Sequence, residues 1–277
     1  MLQGKIFFVT GGARGLGLGI AQQLAQRGAL LAIADRDAEA LGAARRELEQ
    51  LTDVRTYQFD VRDRRAFLAA ADQVEQEFGP VHGLFNNAGV IDSVSPSRMR
   101  GELWDWMVDV NLNGVYNGVQ AFVPRMISRG EGGVVANVSS VAGIIPGGSG
   151  FAYHATKFAV VGMTMSLREE LAHHGISVSV VCPGQVATHI VRNTAGQRPA
   201  DAEEHTNRVA TILAAAHEFL LSNGVSIDDA GRAVVEGVIA GRPFVFTDGS
   251  LRKYVEQYTA QIVSCMPEVD ARSSHGR

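Results

Sequence analysis

Residues 5–28 read KIFFVTGGARGLGLGIAQQLAQRG. An apolar run of strand length ends at Thr10, a glycine-rich turn follows, and a helical-period stretch closes at Gly28. Glycine at positions 11, 15 and 17 lets the backbone turn tightly and approach a bulky anion. The first amides of the helix that follows then present the positive end of their dipole. The stretch reads as a cradle for a pyrophosphate. Eighteen residues beyond Gly17 the next apolar run, LLAIAD, ends in Asp35, placed to accept hydrogen bonds from an adenosine ribose and to repel a phosphate on its 2' oxygen. Arg14 and Arg36 pull the other way, because either guanidinium pairs well with a 2'-phosphate. The balance predicts NAD, with NADP as the second choice.

Working outward, runs of strand length alternate with helical segments, the pattern of βαβ units and of a parallel sheet covered on both faces. The expected strands lie near 5–10, 30–35, 54–59, 81–86, 133–138, 176–182 and 243–247. The expected helices span 15–28, 37–51, 63–78, 102–129, 151–174, 226–241 and 251–265. Ser226 and Asp229 form a capping-box start, and Gly241 a stop, for the sixth of these. One α/β domain over 1–267 is expected, with 268–277 a polar tail. The alternation breaks between 189 and 225, where a polar stretch precedes a mixed apolar helix, and this region is read as a substrate lid.

The bulk composition excludes several functions. Apolar residues make up 46% and charged residues 19% of 277, with a formal charge of -4 and no basic run, so a nucleic-acid partner is not expected. No apolar run reaches the roughly 18 residues of a membrane span, and no secretory signal is readable at the start. The two cysteines, Cys182 and Cys265, sit in separate apolar stretches and argue against a disulfide framework or thiolate metal site. A reducing cytoplasm fits. His154, His173, His174 and His189 lack ligand-like spacing, so no metal is expected.

TGGARGLG at 10–17, NNAG at 86–89, VNLNG at 110–114, NVSS at 137–140, YHATK at 153–157 and CPGQVAT at 182–188 occur in the order found in the short-chain dehydrogenase/reductase family, which this chain resembles. The resemblance implies a single-domain Rossmann-type doubly wound sheet of about seven strands. It also implies an NAD-dependent exchange of hydride between a secondary alcohol and a ketone. It assigns cofactor contacts to Leu16 in the glycine turn, to Asp60 and Val61 near adenine, and to Asn87, Ala88 and Gly89. Pro183, Gly184, Val186 and Thr188 follow at the nicotinamide end, with Val186 and Thr188 on the carboxamide.

Tyr153 and Lys157, four residues apart on a helix, share one face. A phenol has a pKa near 10, and a neighbouring ammonium is expected to favour the phenolate and bring it toward the range useful for proton transfer. By resemblance Ser140 holds the substrate oxygen, with Ser139 as the fallback. Strand alternation sends the two hydroxyls to opposite faces, so one of them is expected to bond backbone. Also by resemblance, Asn111 anchors a water linked to the lysine, and Lys157 bonds the nicotinamide ribose.

The substrate pocket is expected to be lined by Val141, Ile144, Ile145, Gly148, His154, Gln185 and His189, with parts of 189–215. Without a paired cation to grip an anion, this lining predicts a neutral, partly apolar alcohol or ketone. The ending RPFVFTDGS and the stretch LRKYVEQYTAQIVSCM depart from many family members and resemble a subgroup of bacterial aryl-alcohol dehydrogenases. Pairing through the helices at 102–129 and 151–174, as is common in the family, implies a homodimer or homotetramer. Two competing readings are a same-fold epimerase or enoyl reductase, whose glycine or Tyr–Lys spacings usually differ, and an inactive NAD-binding regulatory or scaffold protein, which would usually lack one of Asn111, Ser140, Tyr153 or Lys157.

Overall fold

The computed structural model describes residues 2–147, 150–199 and 207–267. The first strand, β1 (Ile6–Thr10), explains the architecture in miniature. Successive side chains on a strand point to opposite faces, and Ile6 and Phe8 join one hydrophobic core with Phe67, Trp106 and Phe122. Phe7 and Val9 join a second core with Leu24, Ile33 and Val234. A strand that is apolar on both faces has to be covered on both.

The cover comes from the elements that alternate with the strands. They run α1 (Gly15–Ala25), β2 (Leu30–Asp35), α2 (Ala38–Leu48), β3 (Val54–Gln58), α3 (Arg64–Glu77), β4 (Val81–Asn86), α4 (Gly101–Val108), α5 (Gly114–Arg129) and β5 (Gly133–Val138). After them come α6 (Phe151–Leu171), β6 (Ile176–Cys182), α7 (Ile190–Ala195), α8 (Asn207–Asn223), α9 (Ile227–Ile239), β7 (Phe244–Phe246) and α10 (Arg252–Ser264). The strands form one sheet in the order β3-β2-β1-β4-β5-β6-β7, with every neighbouring pair parallel. This is the Rossmann-like sheet expected from the sequence. Strand order reverses between β1 and β4, and in open sheets of this kind ligands bind at the carboxyl ends near that reversal.

Local sequence sets the helix starts. Asp37 caps α2 by accepting from the Ala40 amide at 2.9 Å, Asp63 caps α3, and Ser226 caps α9 by accepting from the Asp229 amide at 3.0 Å. Gly241, at φ +68, follows the end of α9. Two expected helices differ in detail. The one expected over 102–129 is divided into α4 and α5 by a π turn at Asp109–Asn113, and the one over 151–174 ends at Leu171 in a 3-10 turn. The 189–225 region contains α7 and α8, while residues 200–206 and the tail at 268–277 lie outside the described residues. Cys182 is a buried free thiol and Cys265 an exposed one. No helix among the described residues is long and apolar enough to cross a membrane.

Candidate active site

The turn after β1 and the NNAG segment after β4 are tied together. Thr10 Oγ1 accepts from the Asn87 and Ala88 amides at 3.0 and 3.1 Å, and Asn87 Nδ2 donates to the Thr10 carbonyl at 3.0 Å. Gly11 adopts φ +61 and Gly15 φ +51, conformations that favour glycine. A Cβ on Gly11 would also lie 3.0 Å from the Ala88 Cα. Gly17 acts differently from its two partners: it is buried, and a side chain there would strike the Gly11 carbonyl, so its task is to let α1 pack against the turn.

These turns border a groove of about 180 Å³ lined by Gly11, Arg14, Gly15, Leu16, Asp35, Arg36, Asp60, Val61, Asn87, Ala88, Gly89 and Thr188. Phe59 and Val110 line it too, and α7 closes it with Ile190, Asn193 and Thr194. Burial raises the Asp35 carboxyl above its ordinary range, opposed by the Asp37 amide and by the nearby Arg14 charge. The two arginines that favour a 2'-phosphate both have acidic neighbours. Arg14 meets Asp37 at 2.5 Å, and Arg36 lies 3.9 Å from Asp60. Burial works against the Asp60 charge, but hydrogen bonds from Arg62 hold its carboxyl below the ordinary range.

Glycine also opens the next wall. Gly150, at φ +73, begins α6, which carries Tyr153 and Lys157 on its first turns, facing the end of β5. The Ser140 hydroxyl lies beside the Tyr153 phenol, which it acts to lower, and it accepts from the Ala142 amide at 3.1 Å. Ser139, buried, donates instead to the Lys157 carbonyl at 2.8 Å. The two hydroxyls therefore part, Ser140 beside the phenol and Ser139 on the backbone of α6.

The lysine amine donates to the Val138 carbonyl at 3.1 Å and lies 5.7 Å from the Tyr153 ring centre. Burial pushes this amine down to about 8. The expected lowering of the phenol by the ammonium needs correction: burial raises Tyr153 above its ordinary value, and the lowering contribution comes from Ser140. Cys182 sits close enough to Lys157 to feel its charge, and burial pushes that thiol up to about 12, leaving it neutral.

Asn111, fully buried in the π turn, has its amide committed to protein. Its Oδ1 accepts from the Val90 amide at 2.8 Å, and its Nδ2 donates to the Val90 carbonyl and to Thr156 Oγ1 at 3.0 and 3.2 Å. The side chain braces the loop after β4 against α6, which accounts for the interrupted helix. A Cβ on Gly89 would meet Asn111 Oδ1 at 3.2 Å and Lys157 Nζ at 3.4 Å, so this glycine keeps the approach to the amine open.

Ser140, Tyr153 and Lys157 line a cavity of about 760 Å³ that shares Leu16, Asn87, Gly89 and Thr188 with the groove. Val141, Ile145, His154, Pro183, Gly184, Gln185 and Val186 also border it. His154 Nδ1 pairs with the Ala142 carbonyl at 2.8 Å, fixing the ring beside Gly147. Two substrate expectations change: Ile144 is absent from this lining, and His189 borders the groove instead. The expectation for Gly148 lies outside the described residues. Sequence reasoning missed Ile91, Asp92 and Ser93 after β4, Ala216, Phe219 and Leu220 on α8, and Leu251. The helical spacing of Ile212, Ala216, Phe219 and Leu220 was the available signal for α8. Nothing local marks the others.

The short chain dehydrogenase family model matches residues 5–199. The chain belongs to that family. As a short-chain dehydrogenase it is similar over nearly its whole length to the C alpha-dehydrogenase of Sphingobium sp. strain SYK-6, at 32% identity over 276 residues, 97% of this chain and 88% of that protein. The 3beta-hydroxysteroid dehydrogenase 2 of Eggerthella lenta is 38% identical over 192 residues, covering 69% of this chain and 74% of that one. A short-chain dehydrogenase/reductase from Burkholderia phymatum, crystallised in complex with NAD, superposes with a TM-score of 0.90 at 28% identity, over 97% of this chain and 98% of that chain. The family and the groove together establish an oxidoreductase that binds a nicotinamide cofactor.

Proposed function

We propose that this short-chain dehydrogenase is NAD-dependent and interconverts a neutral, partly apolar secondary alcohol and its ketone, with Tyr153 as the general acid and base. One observation carries the reading: Ser140, Tyr153 and Lys157 meet on one wall of a cavity continuous with the glycine-turn groove. The positive φ of Gly11 and Gly15, in a turn that lines the groove ahead of α1, fits a dinucleotide. Gly11, Gly15 and Leu16 would hold its pyrophosphate, Asp35 the adenosine ribose, and Asp60 with Val61 the adenine. Asn87, Ala88 and Gly89 would border the nicotinamide half, Lys157 its ribose, and Pro183, Gly184, Val186 and Thr188 its ring and carboxamide. Bound there, the nicotinamide supplies the two-electron carrier.

The chain's own residues supply position and proton transfer. Ser140 and Tyr153 hold the substrate oxygen. Tyr153 takes its proton when the alcohol is oxidised and returns it when the ketone is reduced. Lys157, buried beside it, contributes charge where water does not screen it. Asn111 braces both. Preference for NAD is supported by Asp35 in the groove and by the pairing of Arg14 with Asp37. Association into a homodimer or homotetramer is supported by exposed Trp104, Tyr116, Phe151 and Phe158 on α4, α5 and α6.

The reading is tested by following NADH absorbance over secondary alcohols, aryl carbinols, steroids and polyols. Turnover of at least one apolar secondary alcohol with NAD is expected. No turnover of any of them, or turnover with NADP alone, overturns it.

A further inference from the structure

Beside the catalytic wall, the loop that leaves β4 carries a buried carboxylate among the residues that line the cavity. Asp92 is 3% exposed. Its Oδ2 meets Arg198 Nε at 2.7 Å, with the two side chains 1% and 12% exposed, and its Oδ1 accepts from the Ser93 amide at 2.7 Å. One residue earlier the Ile91 amide donates to Thr194 Oγ1 at 3.1 Å. Two adjacent loop residues thus hold two points, four residues apart, at the end of α7. That same segment faces the dinucleotide groove through Asn193, Thr194 and Gln197. The Asp92 carbonyl lies so close to Gly150 that a Cβ there would come within 2.8 Å of it, and Gly150 starts the helix bearing Tyr153.

Burying both members of an ion pair costs desolvation that apolar side chains would avoid, so stability alone does not account for the pair. Its position does. We propose that Asp92 and Arg198 form a positioning latch that seats α7 along the dinucleotide groove, ties it to the substrate wall and the start of the catalytic helix, and so slows cofactor release. The release half of this proposal rests on the dinucleotide reading above; the seating half does not.

The two halves are tested separately on the full chain. Hydrogen exchange of the amides at 190–198, without cofactor, is compared between wild type, Asp92→Asn and Arg198→Met. Exchange about tenfold faster or more is expected there in both variants, with β1 little changed. NADH dissociation, followed by stopped-flow fluorescence with excess NAD as displacer, is expected to accelerate by about tenfold, with Arg198→Lys recovering much of the loss. A purely structural role would lower the melting temperature without changing the release rate of folded molecules. Where a single variant fails to fold, Asp92→Leu combined with Arg198→Met removes both charges of the pair together, and this double variant is expected to fold while keeping the fast exchange and fast release. Unchanged exchange overturns the latch whether or not NADH binds. Faster exchange with unchanged release overturns the coupling to cofactor. A wild type that binds no NADH overturns the dinucleotide reading and the release half with it.

Discussion

The dinucleotide groove sets glycines 11, 15 and 89, the Asp35 carboxylate and two arginines beside acids among apolar side chains such as Phe59 and Val110. The cavity next to it is walled instead by Val141, Ile145, Val191 and the α8 residues Ile212, Phe219 and Leu220. The first wall suits a ligand whose chemistry is fixed. The second sets size and polarity and leaves identity open, since a hydrophobic pocket discriminates weakly between shapes of similar volume. Tyr153 and Lys157 line the cavity, while Asn87, Gly89 and Thr188 line both regions, and the proposed chemistry lies where the two meet.

The sharpest way to break this division is Tyr153→Phe. Turnover is expected to fall about a thousandfold, the scale of general acid–base catalysis, while NADH affinity measured by fluorescence titration stays within about twofold, because the phenol acts on the substrate side. Equal losses in both would erase the border between the two regions.

Lys157 sharpens it energetically. Its amine is driven from 10.5 down to about 8 by burial, so holding the charge costs folding free energy. The folded chain releases this proton near pH 8, whereas the unfolded chain keeps it until about 10.5. The penalty is therefore complete below pH 8 and fades as pH rises toward 10.5. Lys157→Met is expected to abolish turnover yet raise unfolding free energy at pH 7 on the order of 2 kcal/mol, after allowing for the lost bond to Val138. Denaturant titrations at pH 7 and pH 10 should show that gain shrinking.

Asp35→Ala probes the groove alone. Loss of hydrogen bonds to a charged acceptor is expected to raise the KM for NAD by about tenfold or more and to leave NADP little affected, which initial-rate kinetics would read. A smaller effect belongs to the cavity. Phe219→Ala, truncating a side chain that is 49% exposed, is expected to raise the KM for an apolar alcohol by about fivefold and leave the KM for NAD alone. An equal rise in both would show that α8 serves the groove as well.

The same division governs how much was legible in the sequence. Groove residues are fixed by local rules: positive φ at Gly11 and Gly15, an acid at the end of β2, and strands whose alternation assigns every side chain a face. That Tyr153 and Lys157 are neighbours was legible because four residues on a helix share a face; their role was read from the family resemblance. The cavity was less legible. The Ile91–Asp92 pair, Phe219 and Leu251 come from three distant parts of the chain, and Gly17 reads like its two partners although it serves packing.

Taken alone, the sequence determined the parallel sheet, its two apolar faces, the glycine turn and the Tyr153–Lys157 pair, because each depends on periodicity or spacing within one or two elements. Tertiary structure decided what depends on burial and long-range approach. It raised the phenol and lowered the amine by taking both out of water. It committed Asn111 to Val90 and Thr156, and it brought Arg198 onto Asp92 across 106 residues of chain. No local pattern carries those facts, since desolvation and contact between distant segments exist only once the chain has folded.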